Sequence, residues 1–253
     1  MKKKIKQLID KIVFYLNVIL FRKNIRGKIG AVKASSLIEK YYCKSTFAQQ
    51  GEDLILERII KKILGWDLDE KRFYIDIGAF HPINKSNTYT LYKRKWRGLV
   101  FDPSQESKDL FKKYRPKDIF VKAVVGESDK TEVDFYFLTK KGRHAMQSSK
   151  YPKSAKLMEL KKVRQVNLMR ELDRNSIKKF DIISIDVEGA ELEILKTIDF
   201  KKYKPCVVII EINAQDISQA LNTDIAKLLI NEGYSLNAVS GKNYFFVKKN
   251  ALS

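Results

Sequence analysis

Five short runs in this chain are apolar at successive positions, and, except between the third and fourth, each is parted from the next by a stretch with helical spacing. The runs lie at 73 to 78, 98 to 102, 118 to 125, 181 to 187 and 206 to 213. A strand that is apolar on both faces must be covered on both, which is the condition of a parallel sheet sandwiched between helices. The helical stretches at 87 to 95, 104 to 114, 189 to 198 and 218 to 232 supply that cover. A further helix at 52 to 64 precedes the first strand, with Leu56, Ile59, Ile60 and Ile63 recurring on one face. Alternation of this kind defines a doubly wound α/β domain. At the C-terminal end, 234 to 236 and 243 to 247 read as two strands joined around Gly241, an antiparallel finish to the sheet. Between the third and fourth runs, 131 to 138 alternates polar and apolar residues like a strand with one wet face, and 140 to 156 reads as a loop or lid.

A chain of 253 residues, 44% of them hydrophobic, can build one large domain with a sizeable core and a small appendage. The appendage is the N-terminus. Residues 1 to 30 hold nine Lys or Arg against Asp10 alone, +8 of the total formal charge of +20. Between two basic clusters, 12 to 21 is apolar but about half the ~20 residues that a spanning helix needs. Arg22-Lys23-Asn24 stands where a signal peptide would place small residues for cleavage. The segment therefore reads as an amphipathic arm, resting on an anionic membrane surface or packed against the protein body. Of the 50 basic residues only 11 are arginine, the side chain best fitted to bidentate base contacts, so nucleic acid is the weaker partner class. Cys43 and Cys206 are far apart, and no Cys-x-x-Cys or His/Cys cluster is present to hold structural zinc; a reducing, cytoplasmic compartment follows.

The chemistry collects at the ends of the strands. In an open parallel sheet, ligands bind at the carboxyl edge near the point where strand order reverses. The runs end in Asp76 with Gly78, in Asp102, in Asp186 with Glu188, and in Glu211 with Asn213. Four carboxylate-tipped strands on one edge form an acidic crevice that costs desolvation and therefore points to function. Asp102 follows Asp76 by 26 residues at the end of the next strand, where an acid commonly holds both hydroxyls of a ribose. After the first strand Gly78 lacks the further glycines of a pyrophosphate-binding turn, and no Gly-x-x-x-x-Gly-Lys-Ser/Thr loop occurs. A cofactor with a ribose and no phosphate suits such a site, and S-adenosylmethionine meets that description.

At this point several motifs carry a resemblance. Gln50-Gly51-Glu52-Asp53, Asp76-Ile77-Gly78-Ala79-Phe80-His81-Pro82, Ser86-Asn87-Thr88-Tyr89, Trp96-Arg97-Gly98 before Asp102-Pro103, and Asp186-Val187-Glu188-Gly189 are similar to the FkbM family of S-adenosylmethionine-dependent methyltransferases, across about residues 47 to 247. The resemblance implies a class I (Rossmann-like) fold over 47 to 253, with a seven-stranded, mostly parallel sheet and an antiparallel last strand, outside which lies the basic arm of 1 to 46. It implies O-methylation, often of surface polysaccharides or natural products. By position it brings Gly78 and Ala79 to the methionine part of the cofactor, with Asp76, Gln50 and Glu52 nearby, Asp102 to the ribose, and Ala123 and Val124 to the adenine.

Methyl transfer to an aliphatic hydroxyl needs a place for the hydroxyl proton. His81 or Asp186 is the candidate base. The other candidate is a divalent ion, Mg or Mn, on Asp186, Glu211 and Asn213, which resemble in placement the ligands of metal-dependent catechol-type O-methyltransferases. Lys85, Tyr89 and the loop residue His144 are candidates for holding the acceptor, with Lys141 and Arg143 beside the last. The expected activity is O-methylation of a sugar or sugar nucleotide in capsule or lipopolysaccharide synthesis, in the cytoplasm or at the inner membrane face. The alternative, raised by the net charge, is an RNA-binding protein or RNA methyltransferase. Oligomeric state is left open.

Overall fold

The computed structural model of the chain describes residues 44–138, 145–147 and 157–249. By its contacts the chain divides into a unit of Met1–Ser45 and a unit of Thr46–Ser253, and the elements below belong to the second. The expected arm of residues 1 to 30, Cys43 and the loop residues Lys141, Arg143 and His144 lie outside the described residues.

The strand rich in Phe, Tyr and Ile, β1 (Phe73–Ile77), is an interior strand of a seven-stranded sheet. It pairs in parallel with β2 (Arg97–Phe101) on one side and with β8 (Ile182–Ile185) on the other. From β2 the sheet continues to β3 (Ile119–Val121), and from β8 to β9 (Val207–Glu211), both in parallel. The chain winds outward one way through β1, β2 and β3, then returns past β1 to wind the other way. The strand order thus reverses at the carboxyl ends of β1 and β8, and the crevice opens there. β11 (Asn243–Lys248) runs antiparallel to β9, and β10 (Tyr234–Ser240) completes the edge as the hairpin partner of β11.

Strand alternation sends two sets of side chains to two cores. Ile75, Ile77, Leu99, Ile183, Ile185 and Ile210 meet α4 (Leu168–Arg174), α5 (Glu191–Lys196) and α7 (Asp224–Asn231) on one face. Tyr74, Val100, Ile182 and Ile209 meet α1 (Glu52–Arg58) with its π-helical extension Ile59–Ile63, α2 (Tyr89–Lys93) and α3 (Gln105–Tyr114) on the other. Asp76 alternates with Tyr74 and Ser184 with Ile182, so both face the α1–α3 side, in register with each other across β1 and β8.

Three expectations need correction. The run at 118 to 125 is two strands, because Ala123 N–H bonds back to the Val121 carbonyl and turns the chain out of the main sheet. Its second half, β4 (Val124–Val125), joins β7 (Leu157–Val166), β5 (Lys130–Leu138) and β6 (Ala145–Gln147) in a separate four-stranded sheet. The stretch 140 to 156, expected as a loop or lid, contains β6 and otherwise lies outside the described residues. The helix expected at 218 to 232 is α6 (Ile217–Leu221) followed by α7, because the Thr223 hydroxyl caps a new helix at the Ala226 N–H.

Candidate functional site

At the tip of β1 the chain turns sharply through Gly78, whose φ is +82°. A Cβ there would lie 1.8 Å from the carbonyl oxygen of Asp186, so only glycine lets the loops after β1 and β8 touch. The N–H groups of Gly78 and Ala79 both bond to the Phe101 carbonyl, which draws the turn towards β2. There Asp102 takes over. Its Oδ2 accepts the N–H of Phe80 at 3.0 Å and its Oδ1 that of Ser104 at 2.8 Å, while Ser107 Oγ donates to the Phe80 carbonyl at 2.6 Å. Phe80 sits at φ 52°, a left-handed conformation that a non-glycine residue holds only when its peptide is clamped in this way. Burial pushes the Asp102 carboxyl up to about 6, against the pull of these hydrogen bonds. Asp102 N–H and Ala123 N–H both reach the Val121 carbonyl, so the acid adjoins Ala123, which is buried, and the first residue of β4, Val124, half-buried.

Across the crevice, Asp186, Glu188 and Glu211 converge at the ends of β8 and β9. One carboxylate oxygen from each lies within 4.8 Å of the others. Burial, then the charges of Glu211 and Glu188, push the Asp186 carboxyl up to about 8. Glu188 stands at φ 56°, and the N–H groups of Val187 and Gly189 on either side of it are held by Glu191 Oε1 at 3.1 and 2.9 Å. Glu188 joins Asp186 and Glu211 in the cluster, and Asn213, the other expected ligand, is exposed two residues beyond β9. Lys242 Nζ lies 3.5 Å from Glu211.

Gln50 and Glu52 bind the start of α1 to the β10–β11 hairpin. The Gln50 carbonyl accepts from Ser240 Oγ at 3.0 Å, and its side chain covers Gly241. Glu52, buried, accepts the Gln50 N–H at 2.7 Å and Asn243 Nδ2 at 3.3 Å; Asn243 is the register partner of Glu211. His81 is turned to its own loop: its Nδ1 accepts the N–H groups of Ile83 (3.0 Å) and Asn84 (2.9 Å). These bonds occupy the nitrogen on which a neutral imidazole would receive a proton. Lys85 is exposed at φ 60°, and Tyr89 packs edge-on to Phe47 at 4.8 Å.

One part of the site was not foreseen. Arg115, fully buried at the end of α3, bonds through Nε to Asp118 Oδ2 at 2.7 Å and through Nη2 to Tyr74 Oη at 2.7 Å and Thr88 Oγ1 at 3.0 Å. Thr88 in turn donates to Asp76 Oδ2. Asn87 Nδ2 reaches Ser184 on β8 at 3.3 Å, and Ser86 Oγ accepts from Arg115 Nη1 at 3.2 Å. Ser86-Asn87-Thr88 was legible as a motif, but nothing in the sequence distinguishes Arg115 from the other 49 basic residues.

The donor set tests what fits. A carboxylate has about four lone-pair sites, and Asp102 spends two on peptide N–H groups. The remaining two suit the two hydroxyls of a ribose. Three hard oxygen ligands with no nitrogen or sulfur suit Mg or Mn.

Strand order β3-β2-β1-β8-β9-β11-β10 with a carboxylate-lined reversal point defines a class I methyltransferase fold. The sequence matches the Methyltransferase FkbM domain over residues 76–236, and the chain belongs to that family of S-adenosylmethionine-dependent methyltransferases. No curated protein matches it. Among solved structures, it is similar to a precorrin-6y C5,15-methyltransferase from Geobacter metallireducens, at 12% identity over 81% of this chain and 90% of that one, with a TM-score of 0.41. A TehB-like SAM-dependent methyltransferase from Corynebacterium glutamicum is 13% identical over 84% of this chain and 94% of its own, at a TM-score of 0.40. The N-terminal domain of human METTL16 in complex with SAH is 15% identical over 80% and 71%, at a TM-score of 0.41.

Proposed function

We propose that the protein moves a methyl group from S-adenosylmethionine to a hydroxyl oxygen of a sugar or sugar nucleotide during synthesis of a surface polysaccharide, capsule or lipopolysaccharide. The observation that carries the oxygen-acceptor reading is the Asp186, Glu188 and Glu211 cluster, whose Asp186 backbone touches the Gly78 turn. S-adenosylmethionine, when bound, supplies a methyl group activated by its sulfonium. Asp102 fixes the ribose, and Asp102 with Ser107 holds the Phe80 peptide so that the turn keeps its shape. Asp186, once ionised, would take the proton of the acceptor hydroxyl as the hydroxyl oxygen bonds to the methyl carbon and the methyl–sulfur bond breaks, with S-adenosylhomocysteine leaving. A carboxylate whose proton affinity lies close to working pH is well suited to that step.

The same three acids would hold Mg or Mn, which would acidify the hydroxyl and orient a neighbouring sugar oxygen. Turnover in metal-free buffer with a chelator separates the two routes. Full activity there leaves Asp186 as the base, and loss restored by Mg or Mn assigns the ion. Residues 1 to 30, with their +8 charge, would rest on the inner membrane face from the cytoplasm.

The test is methyl transfer by the full chain to a panel of nucleotide sugars, read by mass. Transfer to a sugar oxygen is expected. Transfer to RNA in its place, with affinity falling steeply in salt, would favour the second reading, to which the net charge of +20 points.

A further inference from the structure

Asp76 is the next-to-last residue of β1, buried on the side of α1–α3, and one of its oxygens is already bonded. Thr88, with no solvent exposure, donates its hydroxyl proton to Asp76 Oδ2 and accepts from Arg115 Nη2 at 3.0 Å. The direction is fixed by chemistry: a guanidinium only donates, so the threonine proton is left for the carboxylate. All five N–H bonds of Arg115 are used, Nε on Asp118, Nη1 on Ser86 Oγ and the Pro82 carbonyl, Nη2 on Tyr74 Oη and Thr88 Oγ1. Thr88 is thus held from behind by a group that cannot rotate, and its hydroxyl can point one way.

The charges of this network do not cancel. Arg115 is paired with Asp118, both side chains fully buried, and Asp76 adds a second carboxylate. Ionised, the group carries one negative charge in excess, which a buried site bears only with a cation or several donors beside it. Among the described residues the hydrogen bond to the Asp76 carboxylate is made at Oδ2, and none donates to Oδ1.

We propose that Thr88 and Arg115 are positioning residues that pin Oδ2 of Asp76 and so present Oδ1 to the α-ammonium of the methionine part of S-adenosylmethionine. The proposal rests on the assignment of this edge to that cofactor. The ammonium supplies the missing positive charge, and the hydroxyl bond keeps the carboxylate from turning away from it.

The test is calorimetric titration of the full-length chain and its Thr88→Val and Thr88→Ser variants with S-adenosylmethionine, S-adenosylhomocysteine and 5′-methylthioadenosine, which lacks the amino-acid end. Thr88→Val is expected to weaken the first two about 10- to 100-fold, the scale of one lost hydrogen bond to a charged group, and to leave the third within about twofold. Thr88→Ser keeps the hydroxyl and should restore both. A purely structural role for Thr88 would move all three ligands alike. Equal loss for all three, or no loss for any, overturns the proposal. Should the valine variant not fold, Thr88→Ala carries the same comparison. Arg115→Lys keeps a charge but cannot make five directed bonds, and is expected to show the same split between ligands. A wild-type chain that binds none of the three would instead overturn the cofactor assignment, a result distinct from binding that ignores Thr88.

Discussion

Asp102 concentrates the physics of the site in one side chain. Its carboxyl is raised to about 6 by burial, so in the free protein the ionised form is the costly one. Its contribution to folding stability is accordingly full below its unfolded value of about 3.9 and is lost as pH rises through about 6. Binding runs the other way. Phe80, Ser104 and the two ribose hydroxyls are all donors, so the ligand requires the ionised acceptor. Affinity for S-adenosylmethionine should therefore fall as pH drops from about 7 to about 5, and the Asp102→Asn variant should bind weakly with little dependence on pH over that range. Calorimetry across the range checks both. The place of Asp102 was legible because an apolar run must end somewhere, and the residue that ends it stands at the crevice. Glu188 was harder to place, because its approach to Asp186 and Glu211 depends on a left-handed backbone that no spacing reveals. Arg115 was illegible, since burial of one cation among 50 is decided by tertiary packing.

At the scale of elements, β1 and β2 approach each other around a missing side chain. A Cβ on Gly98 would fall 2.0 Å from the ring of Tyr74, whose hydroxyl must reach Asp118, while the Gly98 N–H itself bonds Asp118 Oδ1 at 2.9 Å. Gly98→Ala should therefore cost about 1–3 kcal/mol by overpacking, more if the Tyr74 bond breaks, as read from the midpoint of urea unfolding. The Trp96-Arg97-Gly98 motif thus has a packing cause: Trp96 is buried with its indole N–H on the Leu68 carbonyl at 2.8 Å, and Gly98 leaves room for Tyr74. The main-sheet strands were legible because burial on both faces leaves unbroken apolar runs. β7 was not, because Glu159, Lys161, Lys162 and Arg164 interrupt its pattern, as expected of a strand without a helix on each face. The helix α4 was missed for a related reason: at seven residues it shows two buried leucines, Leu168 and Leu172, too few to establish a period.

For the whole molecule, function and charge belong to different stretches of the chain. The family match spans residues 76–236, whereas the densest positive charge lies in residues 1 to 30. Among the described residues no helix is long and apolar enough to cross a membrane. Removing residues 1 to 30 should abolish sedimentation with vesicles of anionic lipid and leave cofactor affinity unchanged; retained sedimentation would take the membrane role from the arm. The central claim is that the carboxyl edge of β1 and β2 holds S-adenosylmethionine through Asp102. Titrating S-adenosylmethionine into the full chain and into its Asp102→Ala variant tests it most directly. Saturable binding to the wild type, weakened about 100-fold or more in the variant through loss of bonds worth roughly 1.5–3 kcal/mol each, is the expected result. Equal affinity in the two proteins, or no binding to the wild type, would contradict it.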